Sequence, residues 1–399
     1  MSRLLFVLDI GFDRGGPSVH LLQDIIRTGL TQGHTIDVIL KDTGGPLTVM
    51  PEDFIRHHNF NYYVIKEDNE KKYGFVGRYI NEVKYAKKCS KVFINNLRYD
   101  SVFLQSNTVA FFYIRLLEKL GCRIVFNVQD IFPYNLKYSG QLPLSFISFP
   151  IFRKLQNIAY QKADSIITIS EDMKQTLIDD GVKAEKIYVV YNWSYDNSPI
   201  SLETIDLNNF FDLKLDHSKF NIVYAGNIGR MQNVELIAET AINMKYNQNV
   251  HFYIIGDGTN KHHIEEKVNG LPNVTMLPMQ PSKYAESIYA QADLNIIPLM
   301  PGGIKTALPS KTATVLRVNK PVVFCVDASS KFIYSLKDVK KVLFADVCKS
   351  NSLMEVIIKM SETKSQIAKC SLDIEPFFTR FSSKNSIKYI EILTRNNNE

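Results

Sequence analysis

Lys311 ends the tetrapeptide Leu308-Pro309-Ser310-Lys311 inside IPLMPGGIKTALPSKTATVLRVNKPVV, with a Gly-Gly loop and Lys305 before it and a helical pattern after it. A lysine and a serine hydroxyl at a helix start hold a phosphate by charge and by the exposed first-turn N–H groups together. The simpler fate of Lys311 is a solvated surface charge. In YAGNIGRMQNVE a strand ends at Ala225, then Gly226, Asn227 and Gly229 shape a loop, and Arg230 stands at the next helical start. An arginine there can clamp a diphosphate together with free backbone N–H groups, although a lone arginine on a structural turn more often faces solvent. In DIGFDRGGPSVHLL, Gly11, Gly15 and Gly16 precede a helical pattern beginning near Pro17; the spacing is not G-x-G-x-x-G, and a tight turn fits as well as a ligand loop. FNVQDIFP ends a strand on Gln129 and Asp130. Asp130 can take a hydroxyl proton or hold a sugar, while capping a loop is the commoner role of such an aspartate. No Ser/His/Asp arrangement can be assembled. His57-His58 and His262-His263 are adjacent pairs that diverge on any regular element, so no metal site is expected.

These residues need elements to position them. At 399 residues the chain exceeds the roughly 250–300 at which one core stops growing, so two domains are expected. With 45% hydrophobic and 22% charged residues, disorder, collagen and coiled coil are excluded. The longest apolar stretch, Leu142 to Phe152, spans 11 residues with two prolines, far short of the roughly 20 that cross a bilayer. The N-terminal LLFVL run reads as a first strand rather than a signal peptide, which implies a cytoplasmic protein. Five scattered cysteines without a CxxC pair read as reduced thiols.

The first half alternates β-branched runs (LLFVL, TIDVIL, SVFLQ, RIVFNV, SIITIS, IYVVY) with helical patterns over 18–32, 108–120 and 156–162. After an aperiodic stretch, FNIVYAG opens a second alternation with helical patterns over 233–245, 260–268, 283–290 and 310–318. Such alternation predicts an α/β chain of two doubly wound, Rossmann-like domains, with ligands outside the strand ends in the cleft that the domains face. The boundaries are 1–195, a linker over 196–219, a second domain over 220–374 and a tail over 375–399 whose helical pattern returns to the first domain.

The net charge of +6 is too mild to name a nucleic-acid partner. Residues 62–98 carry nine basic and four acidic residues, nearly all of that excess. Phe75, Val76, Tyr79, Ile80, Val83 and Ala86 run through the segment near helical spacing. It suits an anionic membrane surface and a solvated outer helix face equally.

Taken in order, the Gly-Gly loop after the first strand, QDIFP, ADSIITISEDMKQTLIDDGVKAEKIYVVYNW, YAGNIGRMQNVELIAE, FYIIGDG, ADLNIIPL and LPSKTATVLRVNKPVV resemble the family 4 glycosyltransferases of the GT-B fold, of the bacterial surface polysaccharide type. The resemblance covers nearly the whole chain. It implies retaining, metal-independent transfer of a sugar from a nucleotide-diphosphate donor such as a UDP-sugar, without a further cofactor. The acceptor would be a saccharide, in its lipid-linked form carried on a polyprenyl diphosphate, at the cytoplasmic membrane face. The second domain would bind the donor and the first would offer the acceptor. Arg230 and Lys311 would hold the phosphates over the loop of Gly226, Asn227 and Gly229, with Pro309, Ser310 and Thr314 completing the donor site. Gly15 and Gly16 would approach from the opposite side, and Asp130 would sit at the acceptor edge.

The chain departs from the family pattern at three places. Thr314 replaces a ribose-binding glutamate, Asn319 a glycine, and Gln129 a histidine found in many members. Thr314 motivates an alternative, a catalytically degenerate sugar-nucleotide-binding subunit of a partner transferase. An epimerase lacks the required carboxylates and histidine, and a nicotinamide oxidoreductase lacks its dinucleotide fingerprint.

Overall fold

The structure, a computed structural model, describes residues 1–12, 19–42, 50–66, 74–93, 98–194, 215–337, 339, 341–349, 351–363 and 380–395. The chain divides into two compact units, Met1–Tyr195 with Ser383–Glu399, and Asp196–Ser382. Gly15, Gly16, Cys370, residues 196–214 of the expected linker and 364–379 of the expected boundary and tail lie outside the described residues.

The first unit has strands β1 (Arg3–Val7), β2 (Thr35–Asp42), β3 (Phe60–Lys66), β4 (Ser101–Gln105), β5 (Arg123–Val128), β6 (Ser165–Thr168) and β7 (Ile187–Val189). Its helices are α1 (Val19–Thr31), α2 (Glu52–Ile55), α3 (Phe75–Phe93), α4 (Ala110–Leu117), α5 (Tyr134–Tyr138), α6 (Ser145–Lys162) and α7 (Glu171–Asp179). The second unit has β8 (Phe220–Asn227), β9 (Val250–Asp257), β10 (Val274–Leu277), β11 (Leu294–Pro298), β12 (Val322–Val326) and β13 (Val342–Asp346). Between them run α8 (Val234–Asn243), α9 (Lys261–Val268), α10 (Ala285–Gln291), α11 (Thr312–Arg317), α12 (Lys331–Leu336) and α13 (Ser352–Glu362). The last helix, α14 (Asn385–Thr394), belongs to the first unit.

Both sheets are parallel, ordered β3-β2-β1-β4-β5-β6-β7 and β10-β9-β8-β11-β12-β13. Parallel strands covered by helices on both faces are predominantly apolar, and β4, β11 and β12 are buried at every residue. The strand order reverses between β1 and β4 in one unit and between β8 and β11 in the other. Ligands of open α/β sheets bind outside the carboxyl ends at such switch points, which directs attention to the segments after those four strands.

α14 lies on α1, where Gly29 permits close approach: a Cβ there would meet Ile36 Cδ1 at 2.8 Å and Ile390 Cδ1 at 3.0 Å. Tyr389, Ile390 and Leu393 are buried in the core of the first unit. α6 begins at Ser145, eleven residues before the sequence pattern starts. Pro150 masked it, because proline removes an interior helical hydrogen bond; here it lies on the exposed face of the helix. β3 also escaped the sequence reading, since this edge strand exposes Asn61 and Tyr62 and lacks a continuous apolar run.

One buried charge anchors the first sheet. Asp37 of β2 is fully buried and accepts from Arg3 Nε at 3.0 Å, Arg3 Nη2 at 2.7 Å, Asn61 Nδ2 at 2.8 Å and the Tyr99 hydroxyl at 2.9 Å. Truncation strands these donors, so Asp37→Ala is expected to destabilise the first unit by about 3–5 kcal/mol. Urea unfolding monitored by circular dichroism checks this, and a loss under about 1 kcal/mol would show that the network contributes little.

Candidate functional site

In the second unit, β8 and β9 pair in register to their last residues, with Gly226 opposite Gly256 and Asn227 opposite Asp257. Gly226 takes φ +142°, a conformation L side chains rarely adopt. The chain then turns through Asn227 and Gly229 into a short 3-10 turn, Arg230–Gln232, and into α8. Asn227 Nδ2 donates to Gln232 Oε1 at 3.2 Å, and the Tyr224 hydroxyl donates to the Asn227 carbonyl. The segment after β11 is tied to this loop. Met300 N–H donates to the Met231 carbonyl at 3.0 Å, and Asn233 Nδ2 to the Leu299 carbonyl at 3.2 Å. Gly302, at φ 77°, donates its N–H to Asp327 Oδ2 at 2.8 Å.

That scaffold brings Lys311 back to the end of β8. Its Nζ donates to the Ala225 carbonyl at 3.1 Å and stands 3.7 Å from the Tyr224 ring centroid. A Cβ on Gly226 would lie 3.2 Å from Nζ, so glycine leaves the space the ammonium occupies. The Ala225 carbonyl also accepts from the Tyr289 hydroxyl at 2.9 Å. Among the described residues no carboxylate pairs with Lys311. Burial without a counter-charge pushes its ammonium down to about 7. The residue is half-buried, so the head is enclosed while part of the side chain still meets solvent. Lys311 is therefore neither a solvated surface charge nor a structural ion pair.

Arg230 and Ser310 are exposed, and Pro309 and Thr314 are half-buried. Contact joins Lys311 to Gly226, whereas Arg230 remains a free-standing cation on the same loop, outside any ion pair among the described residues. α11 spans Thr312–Arg317, shorter than the sequence pattern, with Lys311 at its N-cap. Tyr224 and Tyr289 were missed by sequence reasoning. Each reads there as an ordinary core aromatic, and only the alternation of side chains along β8 distinguishes the ring beneath the ammonium.

In the first unit, the ends of β4 and β5 carry a closed amide network. Asn127 Nδ2 donates to Gln105 Oε1 at 2.9 Å, Gln129 Nε2 to Asn127 Oδ1 at 3.0 Å, and Asn192 Nδ2 to Gln129 Oε1 at 2.8 Å. The Tyr389 hydroxyl adds a bond to Asn127 Oδ1 at 3.3 Å. Both ends of the Gln129 amide are thus engaged, and an amide neither gains nor loses a proton in this pH range. Asp130 is the next residue. Desolvation by the surrounding protein pushes its carboxyl up to about 6, while the residue keeps an edge open to solvent. At the end of β1, Asp9, which the sequence did not single out, has its carboxyl pushed up to about 6 by burial and by Glu82. Glu82 accepts from the Thr108 hydroxyl. His57 and His58 stack at 5.0 Å, because they lie in the turn after α2 rather than on a regular element.

Two family models match the chain: Glycosyltransferase Family 4 over residues 14–193 and Glycosyl transferases group 1 over 219–360. Curated relatives include the probable glycosyltransferase WbjE of Pseudomonas aeruginosa, 26% identical over 219 residues, covering 53% of each chain. Another is the putative colanic acid biosynthesis glycosyl transferase WcaI of Escherichia coli K12, 27% identical over 226 residues, covering 54% of each. The matches span about half the length of these relatives. Among solved structures, Anabaena HepE in complex with UDP superposes with a TM-score of 0.67 at 14% identity, covering 97% of this chain and 98% of that one. One family model falls on each unit, and each unit has the parallel doubly wound sheet of the solved neighbours: the chain belongs to the family 4 glycosyltransferases, with the GT-B fold.

Proposed function

We propose that the chain transfers a sugar, with retention and without a bound metal, from a UDP-sugar to a saccharide carried on a polyprenyl diphosphate in bacterial surface polysaccharide synthesis. One observation carries the donor half: an enclosed ammonium, Lys311, faces Gly226 at a switch-point strand end, with no carboxylate beside it among the described residues. An ammonium held in that way gains most from an arriving anion. Arg230 adds a second cation. HepE, solved with UDP, supports a uridine diphosphate as that anion, and the relative named for colanic acid biosynthesis supports the polysaccharide setting.

In the transfer, the bond from the sugar's anomeric carbon to the diphosphate oxygen breaks, with its electron pair going to the phosphate. The acceptor hydroxyl oxygen forms the new bond and gives up its proton. Negative charge therefore grows on the leaving diphosphate, where Lys311 and Arg230 stabilise it more in the transition state than in the ground state. On the acceptor side, Asp130 is proposed to receive or orient the hydroxyl. Asp130→Asn should then lower transfer while leaving UDP affinity unchanged, and unchanged transfer would remove it from the reaction. The relatives are named as glycosyltransferases, and no observation favours a subunit without turnover.

Calorimetric titration with UDP, GDP and UDP-sugars, without added metal, tests the donor site. Saturable binding of UDP is expected, weakened about 30-fold or more in Lys311→Ala, as for removal of one partner of an enclosed charge pair. Equal affinity in the two proteins would move the donor elsewhere.

A further inference from the structure

α3 turns one stripe outward: Val76, Ile80, Lys84, Lys87 and Lys91 are all exposed, at the three- and four-residue spacing of a single helical face. The stripe begins apolar and ends cationic. The opening of α6 repeats that order, with Phe146, Ile147 and Ile151 exposed and Lys154 following within a turn. Leu144, just ahead of it, is 68% exposed and Phe146 77%. Phe152 of α6 joins the two helix starts, edge-on to Phe75 at 5.6 Å and tilted against Tyr79 at 5.1 Å. The aromatics of the α3 series are thus spent on packing, leaving Val76 and Ile80 as its outward apolar residues.

We infer that the paired starts of α3 and α6 form a docking face for an anionic lipid bilayer, inserting their apolar side chains while the lysines lie over the headgroups. Charge selects this occupant. The two helices together hold eight basic residues and one acidic residue, Glu82; Arg153 and Lys162 are paired with Asp180 and Glu118, which leaves Lys84, Lys87, Lys91 and Lys154 as the exposed lysines of the face, and Glu82 is half-buried and bonded to Thr108. Lysine-rich apolar faces bind anionic surfaces by both terms together. Pro150, exposed like Phe146, supplies no N–H to the Phe146 carbonyl, a group that the headgroup layer satisfies and the hydrocarbon core does not. The inference rests on the lipid-carried acceptor reading for its use and on the first unit alone for its geometry.

Co-sedimentation of the full chain with phosphatidylglycerol/phosphatidylethanolamine vesicles and with phosphatidylcholine vesicles tests it. Binding to the anionic vesicles alone is expected, falling as salt is raised. Phe146→Ser with Ile147→Ser should reduce it at least tenfold. Lys84→Glu with Lys87→Glu should reduce it about 30-fold or more, since each lysine contributes about fivefold near such a surface. Both variants alter exposed residues of the first unit, so thermal melts by circular dichroism that match the parent show that they fold, and unchanged UDP titration shows that the donor site is untouched. Absent vesicle binding, or binding that both variants leave intact, overturns the inference while the donor site stands; so does a dimer in sedimentation velocity that the apolar variant dissociates. Lost UDP binding with vesicle binding intact overturns the donor reading alone.

Discussion

Lys311→Ala is expected to transfer sugar about 10²–10³-fold more slowly than the parent protein, the loss typical of removing one preorganised donor from a developing oxyanion. The geometry makes this residue hard to replace. Its ammonium is held by the Ala225 carbonyl and the Tyr224 ring, so binding requires little reorganisation of the cation. Alanine leaves the diphosphate with exposed Arg230 as the only other proposed cation. Turnover within about threefold of the parent would remove Lys311 from leaving-group stabilisation. A second readout follows from titration. Burial lowers the Lys311 pKa to about 7, and an arriving diphosphate raises it again. Above pH 7 the free protein has lost part of this proton, so UDP binding should take up protons there, and affinity should decline as pH rises. At pH 8 the calorimetric enthalpy should vary with the ionisation enthalpy of the buffer in the parent protein and not in Lys311→Ala. The sign for stability is opposite. A lysine with a depressed folded pKa destabilises the fold most below that pKa, and the penalty lessens as pH rises from 7 toward 10.5. Lys311→Met should therefore be at least as stable as the parent at pH 6.5 while remaining inactive, a pairing that separates a binding role from a structural one.

The two doubly wound sheets were readable because most of their strands are short and dominated by β-branched and other apolar residues, as at RIVFNV and LNIIP. Helix α3 was harder, because its lysines interrupt the apolar series and only the structure shows Tyr85, Ala86 and Cys89 turned inward. Within the candidate site, the loop glycines and Lys311 were legible by residue type. Their joining was not: residues 226 and 311 are remote in sequence, and only the parallel placement of β8 beside β11 brings their following segments together. Asp9 shows the limit most clearly. One aspartate after a strand carries no sign in sequence of its neighbour Glu82, and the upward push on its carboxyl arises from burial and that neighbour together.

Gly256→Ala tests how that strand end is built. A Cβ at residue 256 would lie 1.9 Å from the Gly226 carbonyl oxygen and 3.2 Å from Ile228 Cγ1. The first neighbour is backbone, fixed on the adjacent strand by the β8–β9 register, so no rotamer change relieves the overlap. The strands must part or Gly226 must turn, and Gly226 is the residue whose φ of +142° leaves room for Lys311. Overpacking typically costs about 1–3 kcal/mol, and a backbone collision should reach the upper end. A loss of about 3 kcal/mol would lower the melting temperature of a domain this size by roughly 6–12 °C. UDP affinity should fall as well, since the displaced Gly226 carries the loop that ends in Arg230. A variant as stable as the parent would mean that the two strand ends separate without strain, and that glycine at 256 serves something other than this approach. The comparison with Lys311→Ala gives the result its meaning. Removing the cation is expected to weaken binding in an intact fold, whereas Gly256→Ala should weaken the fold and the site together, because one close contact between two strands supports both.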